Sequence, residues 1–302
     1  MAVAAITCTA CLTAPPARAV APPTVDDALL PAPTSPAPRE ATEQSERCRS
    51  MTNSANTVGD SQLSGIDRHA IWRLSRGQGQ TVAVIDTGVA RHRLLPHLVP
   101  GGDYVSAGDG TQDCDGHGTV VAGIIGAAEV DVAGTSFGGL APDATIMGIR
   151  QSSNAFRRTN EPASSGVGDV ETLAMAVRTA ADAGATVINI SSVACLPATD
   201  DVGDGALGAA LAYAVDVRNV VVVAAAGNVG GAGLCHEQNP PPDPSRPGLP
   251  DWEAVNVVAS PSWYDDYVLT VASVGLDDRP SSFSLAGPWV DVAAPGEAVV
   301  SL

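Results

Sequence analysis

Apolar residues in this chain come in short unbroken runs rather than in alternation with polar ones. Five such runs lie at 81–85, 144–149, 186–190, 220–225 and 268–271. Runs of this length suit strands buried on both faces. Between them the period changes. Val170, Leu173, Ala174 and Val177 recur at helical spacing, with Asp169 as N-cap and Gly184 as the C-terminal stop. Leu207, Leu211 and Val215 repeat that signature over 206–217, and an Ala/Ile-rich stretch after His117 predicts a third helix. Strands alternating with helices predict an α/β fold, a doubly wound parallel sheet with helices on both faces. The globular pattern begins near Ile66. Residues 20–45, rich in Pro, Ala, Thr and Ser, are expected to be extended or disordered. The segment 235–261, containing Pro240-Pro241-Pro242, is expected to be a long loop insertion.

Composition narrows the picture. The chain has 302 residues, enough for one large α/β domain, and only 4% aromatics. Its core must be built from small aliphatic groups, which lets helices lie close to a sheet. A net charge of −17 argues against nucleic acid and against an anionic membrane surface as partners. The apolar run 2–14, followed by Ala17-Arg18-Ala19, reads as a partial secretory signal ending at Ala19, although a basic start is missing. The chain is therefore expected to be exported. No run reaches the ~18 apolar residues needed to span a bilayer. Of the cysteines, Cys8 and Cys11 would leave with the signal. Cys48, Cys114, Cys195 and Cys235 remain, an even number in an exported chain, which favours two disulfides. A zinc site is the rival, but none of these four pairs at C-x-x-C spacing.

Candidate chemistry gathers at strand ends. Asp86 closes the run Val82-Ala83-Val84-Ile85 and precedes Thr87-Gly88, at the edge of a parallel sheet where ligands bind. A carboxylate there can orient a histidine and stabilise its cation; the plainer alternative is helix capping. An aspartic-protease reading of Asp86-Thr87-Gly88 needs a second such carboxylate, and the sequence has no second Asp-Thr-Gly. His117 sits between Gly116 and Gly118 at a helix start, where backbone and substrate can approach the imidazole closely. His69, His92, His97 and His236 lack that setting and are expected on the surface. Asn228, in Ala225-Ala226-Gly227-Asn228 at a strand end, could donate to an oxyanion or simply form a turn. Asp103, Asp109, Asp113 and Asp115 cluster in sequence, but their spacing matches no calcium loop of the EF-hand kind, so a solvated acidic loop is expected and no metal.

In the order Asp86, His117, Asn228 these elements resemble the subtilisin-like serine proteases (peptidase S8). The likeness runs from Ser64 onwards through Gly139-Leu140-Ala141-Pro142, Val187-Ile188-Asn189-Ile190-Ser191, Ser282-Phe283-Ser284 and Val290-Asp291-Val292-Ala293-Ala294-Pro295-Gly296. Within that family, Asp113-Cys114-Asp115-Gly116-His117, Cys195-Leu196-Pro197 and Leu234-Cys235-His236-Glu237 are similar to the mycosins, membrane-anchored proteases of type VII secretion systems. The resemblance implies a polypeptide substrate, no cofactor, a possible secretion membrane complex as partner, and a location outside the cell or in its envelope. It also implies disulfides Cys48–Cys114 and Cys195–Cys235, the first pinning the N-terminal extension beside His117 as a permanent belt. The roles it implies are His117 as general base and acid, Asp86 as its orienting group and Asn228 in the oxyanion hole.

The family's nucleophile sits in a Gly-Thr-Ser at a helix start after the Ala-Pro-Gly strand, and six residues follow Gly296 here. Gly134-Thr135-Ser136 mimics the motif 19 residues after His117 but is followed by Gly138-Gly139, and Ser301 has no Gly-Thr before it. The expectation is that the nucleophilic serine is absent from these residues. The catalytic domain would then be incomplete at its C-terminus, a broad apolar face left bare and the chain inactive alone. The division expected is a signal at 1–19, a Pro/Ala-rich extension at 20–63 and a subtilisin-like catalytic domain at 64–302. The alternative is a non-catalytic scaffold of a secretion complex, or an inactive protease remnant.

Overall fold

The computed structural model describes residues 20–49, 61–132, 135–161, 166–231, 234–241, 243–246 and 250–302. The signal expected at 1–19 lies outside them. The strands are β1 Thr42–Gln44, β2 Thr81–Asp86, β3 Leu98–Asp103, β4 Val130–Val132, β5 Thr135–Phe137, β6 Thr145–Arg150, β7 Phe156–Arg158, β8 Val187–Ile190, β9 Ala194–Pro197, β10 Val221–Ala225, β11 Val257–Ser260, β12 Leu269–Val274 and β13 Val292–Pro295. The α-helices are α1 Arg68–Trp72, α2 His117–Gly126, α3 Val170–Asp182 and α4 Gly205–Ala212, the last running on as a π-turn over Tyr213–Val217. Seven strands form one parallel sheet in the order β13–β12–β10–β8–β2–β6–β3. All five predicted apolar runs lie in it.

The two faces of β2 explain why its sequence is apolar throughout. Val82 and Val84 pack with Ile146, Ala144 and Ala122 of α2 on one side. Ala83 and Ile85 join Ile149, Ile188, Ile190 and the α3 residues Leu173, Ala174 and Val177 on the other. Helices therefore lie on both faces, as expected. Alanines make the close approach possible: Ala174, Ala176 and Ala180 of α3 are fully buried. The ends of α3 follow its sequence signals. Asp169 accepts from the Thr172 N–H at 2.7 Å in a reciprocal capping box, and Gly184 takes φ +84° where the helix stops.

One expectation is corrected, one is narrowed, and one strand lacks any sequence signal. The segment 235–261 is not loop throughout: it ends in β11, fully buried and antiparallel to β9, with Ala259 opposite Cys195. Prolines upstream hid a strand whose partner is distant in sequence. Residues 20–45 are extended but not disordered. Val25 and Leu30 pack on the main core, β1 pairs with β7, and the Thr42 hydroxyl donates to the Val105 carbonyl. Composition cannot register such tertiary partners. Finally, β3 had no signal of its own. Its Pro100 fits an edge strand, and a side chain at Gly101 would meet Ile149 Cγ1 at 2.5 Å, so a glycine interrupts the apolar pattern for a packing reason. Both disulfides implied by the resemblance, Cys48–Cys114 and Cys195–Cys235, are present.

The α2 side of the sheet is unevenly covered. α2 packs on β2 and β6, whereas Val221, Leu269 and Val292, on the same face of β10, β12 and β13, are 52, 42 and 47% exposed. Contiguous apolar surface of this kind favours association. We expect the native chain to bind the dye ANS and to scatter more light per molecule as its concentration rises. A folded chain that does neither contradicts the open face.

Candidate active site

Asp86 is the last residue of β2 and His117 the first of α2, so the sheet edge and the helix start bring them together. The His117 Nδ1 lies 2.7 Å from Asp86 Oδ1, which also accepts from the Thr87 N–H at 2.7 Å. Asp86 is 4% exposed, while the His117 side chain is 58% exposed, so the pair is rooted in the core with its imidazole open to a ligand. Asp86 Oδ2 is buried with no partner among the described residues. That oxygen adds to the benefit of a cation forming on the imidazole beside it.

Glycines set the approach. Gly116 takes φ +84° immediately before the helix. A Cβ on Gly118 would stand 2.1 Å from the Gly88 carbonyl oxygen and 3.0 Å from Asp86 Cβ. No other residue lets the first turn of α2 lie this close to the turn after β2. The Asp86 hydrogen bond is the largest cause raising the His117 pKa above its ordinary value. Burial opposes it, and the charges of Asp86, Asp113 and Asp115 reinforce it.

Asn228 follows β10, on the same C-terminal sheet edge as Asp86 and two strands away. Gly227 before it has φ +107°, and the Asn228 carbonyl accepts from the Cys235 N–H at 2.8 Å, which ties the turn to the Cys195–Cys235 bridge. Its side chain is exposed. A cavity of about 430 Å³ opens beside the segments that follow β6 and β8 and the start of α3, lined by Gln151, Ser152, Arg158, Val170, Leu173 and Val193 among others. His69, His92, His97 and His236 are exposed, as expected.

The two serines considered as nucleophiles are engaged elsewhere. Ser136, on β5, donates its hydroxyl to Glu129 Oε1 at 2.8 Å. The Ser301 hydroxyl donates to the Val120 carbonyl of α2 at 2.7 Å.

The solvated acidic loop is corrected. Asp103 is 1% exposed and lies 3.5 Å from the buried Arg150 guanidinium. Asp115 accepts from the Ser153 hydroxyl and the Asn154 N–H. Asp113 takes hydrogen bonds from Thr87, Asp115, Gly116 and Thr119. Only Asp109 fits the expectation; it is largely exposed, and its Thr111 bonds hold its pKa below the usual carboxylate value. The loop folds back on its own acids. Among the described residues no group of three or more His, Cys, Asp or Glu side chains could hold a metal.

The structure thus sets a buried carboxylate against an accessible histidine at the C-terminal edge of a parallel α/β sheet. The chain belongs to the Subtilase family (Peptidase_S8), whose sequence profile matches residues 77–302. Within that family it is similar to the mycosins: it is 58% identical over 293 residues to Mycosin-4 of Mycobacterium tuberculosis, covering 95% of this chain and 62% of that protein. The chain thus spans less than two thirds of that relative's length. The crystal structure of MycP1 from the ESX-1 type VII secretion system superposes with a TM-score of 0.83 at 41% identity, covering 94% of this chain and 75% of that one. A chain of the intact ESX-5 inner membrane complex superposes at 0.84 and 41% identity, covering 94% and 69% respectively.

The raised His117 pKa has a signed consequence. Its contribution to stability is fully present below the unfolded value of about 6.5 and is lost as pH rises through the folded value. The stability gap between wild type and Asp86→Asn is therefore expected to be wide near pH 5 and to narrow at pH values above the raised folded pKa. Urea unfolding at both ends of that range measures it; a gap independent of pH contradicts the coupling.

Proposed function

We propose that this chain carries the acid–base machinery of a subtilisin-type endopeptidase associated with type VII secretion. The observation that carries the reading is the Asp86–His117 contact at the sheet edge. His117 Nε2 takes the proton of a serine hydroxyl as that oxygen attacks the scissile carbonyl, then returns it to the leaving amine. Asp86 fixes the tautomer and stabilises the imidazolium. The Asn228 amide donates to the oxyanion, a contribution worth about 3 kcal/mol of transition-state stabilisation in such sites. No cofactor enters these steps. The substrate is a polypeptide laid along the cavity lined by the segments after β6 and β8 and the start of α3.

The hydroxyls of Ser136 and Ser301 are bonded away from this site, so neither is taken as the attacking serine. The likeness to a chain of the ESX-5 inner membrane complex supports a secretion complex of the cell envelope as the setting. No described helix is long and apolar enough to cross a membrane.

A fluorophosphonate probe tests the assignment on the purified chain. The expected result is no labelled serine. Labelling that maps to Ser136 and vanishes in Ser136→Ala overturns it.

A further inference from the structure

The loop before His117 contains a second carboxylate whose placement the reaction described above does not use. Asp113 Oδ1 accepts from the Gly116 N–H at 2.7 Å, the Asp115 N–H at 3.1 Å and the Thr87 hydroxyl at 2.9 Å. Its Oδ2 accepts from the Thr119 N–H at 2.9 Å and the Thr119 hydroxyl at 2.7 Å. The Thr87 hydroxyl in turn accepts from the Gly118 N–H at 3.0 Å. Both neighbours of His117 are thus tied to one carboxylate, Gly116 directly and Gly118 through Thr87. Thr87 is also the residue after Asp86, so the same knot joins the loop before His117 to the strand end that carries its partner.

The electrostatics point the same way. His117 is the first residue of a ten-residue α-helix, and its N-cap, Gly116, offers no side-chain oxygen. A helix N-terminus carries a partial positive charge that disfavours a cation there. A base at this position must nevertheless become an imidazolium. Asp113 lies at the end of the helix where that charge is concentrated and takes up amide hydrogens of its first turn.

We propose that Asp113 is a positioning residue that holds His117 in register with Asp86 and offsets the positive end of α2. This rests on the protease reading for its purpose, but not for its test. The acids that face His117 are Asp86 from β2 and Asp113 and Asp115 from the preceding loop. Asp115 is directed to Ser153 and Asn154 instead, which makes it the control.

The experiment is an NMR titration of the imidazole in the full chain labelled at histidine, with the His117 signal assigned by its loss in His117→Ala. No turnover is needed, so a failure of the protease reading leaves this result standing. Asp113→Asn is expected to lower the His117 pKa by about half a unit, the size of a helix-end charge interaction. Asp115→Asn should lower it less. A helix cap of purely structural use changes the melting temperature and leaves the titration in place. The proposal is overturned if folded Asp113→Asn titrates as wild type, or if Asp115→Asn shifts the signal as much. Should Asp113→Asn not fold, Thr87→Val keeps the charge and cuts the relay to Gly118. A lowered His117 pKa in that variant upholds the proposal, and an unchanged one overturns it.

Discussion

A 2.7 Å contact between a carboxylate rooted in the sheet and an imidazole at a helix start governs this structure. Making it requires β2 to end at Asp86, α2 to begin at His117, and the two ends to meet with no side chain between them. Gly118 supplies the last condition, because any Cβ there collides with the Gly88 carbonyl. The packing behind the pair meets the first two. Val82 and Val84 hold α2, while Ala83 and Ile85 hold the opposite layer, so β2 cannot slip by one residue without exchanging its two cores.

The N-terminal extension is built into the same arrangement. Cys48–Cys114 closes a 66-residue separation, a constraint worth roughly 4 kcal/mol on chain-entropy grounds. The Arg49 N–H adds a bond to the Cys114 carbonyl at 2.8 Å. Cys114 lies between Asp113 and Asp115, so the belt is anchored in the loop that delivers His117. On the far side of the sheet domain, Cys195–Cys235 and the β9–β11 pair brace the turn that carries Asn228. Two covalent ties thus stabilise the loop before His117 and the turn at Asn228.

What the sequence revealed follows from which forces leave a local trace. β2 and β6 were legible because burial on both faces demands largely apolar residues, and β8, β10 and β12 carry runs of the same kind although one face of β10 and β12 is partly open. α3 was legible because Asp169 and Gly184 mark its ends chemically. Asp86 stood out as the polar end of an apolar run, and His117 through the glycines on either side of it. β3 was hidden because close packing on Ile149 requires glycine where a strand signal would place a large side chain. β11 was hidden because its pairing partner, β9, is remote in sequence. Asp113 was read as one acid in a solvated stretch. Its position just ahead of a helix start was the available sign of a capping role, but the return of Thr87 and Thr119 onto it exists only in three dimensions.

The proposed acid–base role depends on the protonation geometry of one ring. If Asp86 orients His117 as a base, the neutral imidazole must carry its proton on Nδ1 and leave Nε2 free to accept one. The nitrogen chemical shifts of His117, recorded above its pKa in the histidine-labelled chain, report this directly. The expected result is the Nδ1–H tautomer, with its proton held against Asp86. A dominant Nε2–H tautomer would mean that Asp86 does not orient the ring, and the site as described would not be a protease's acid–base pair.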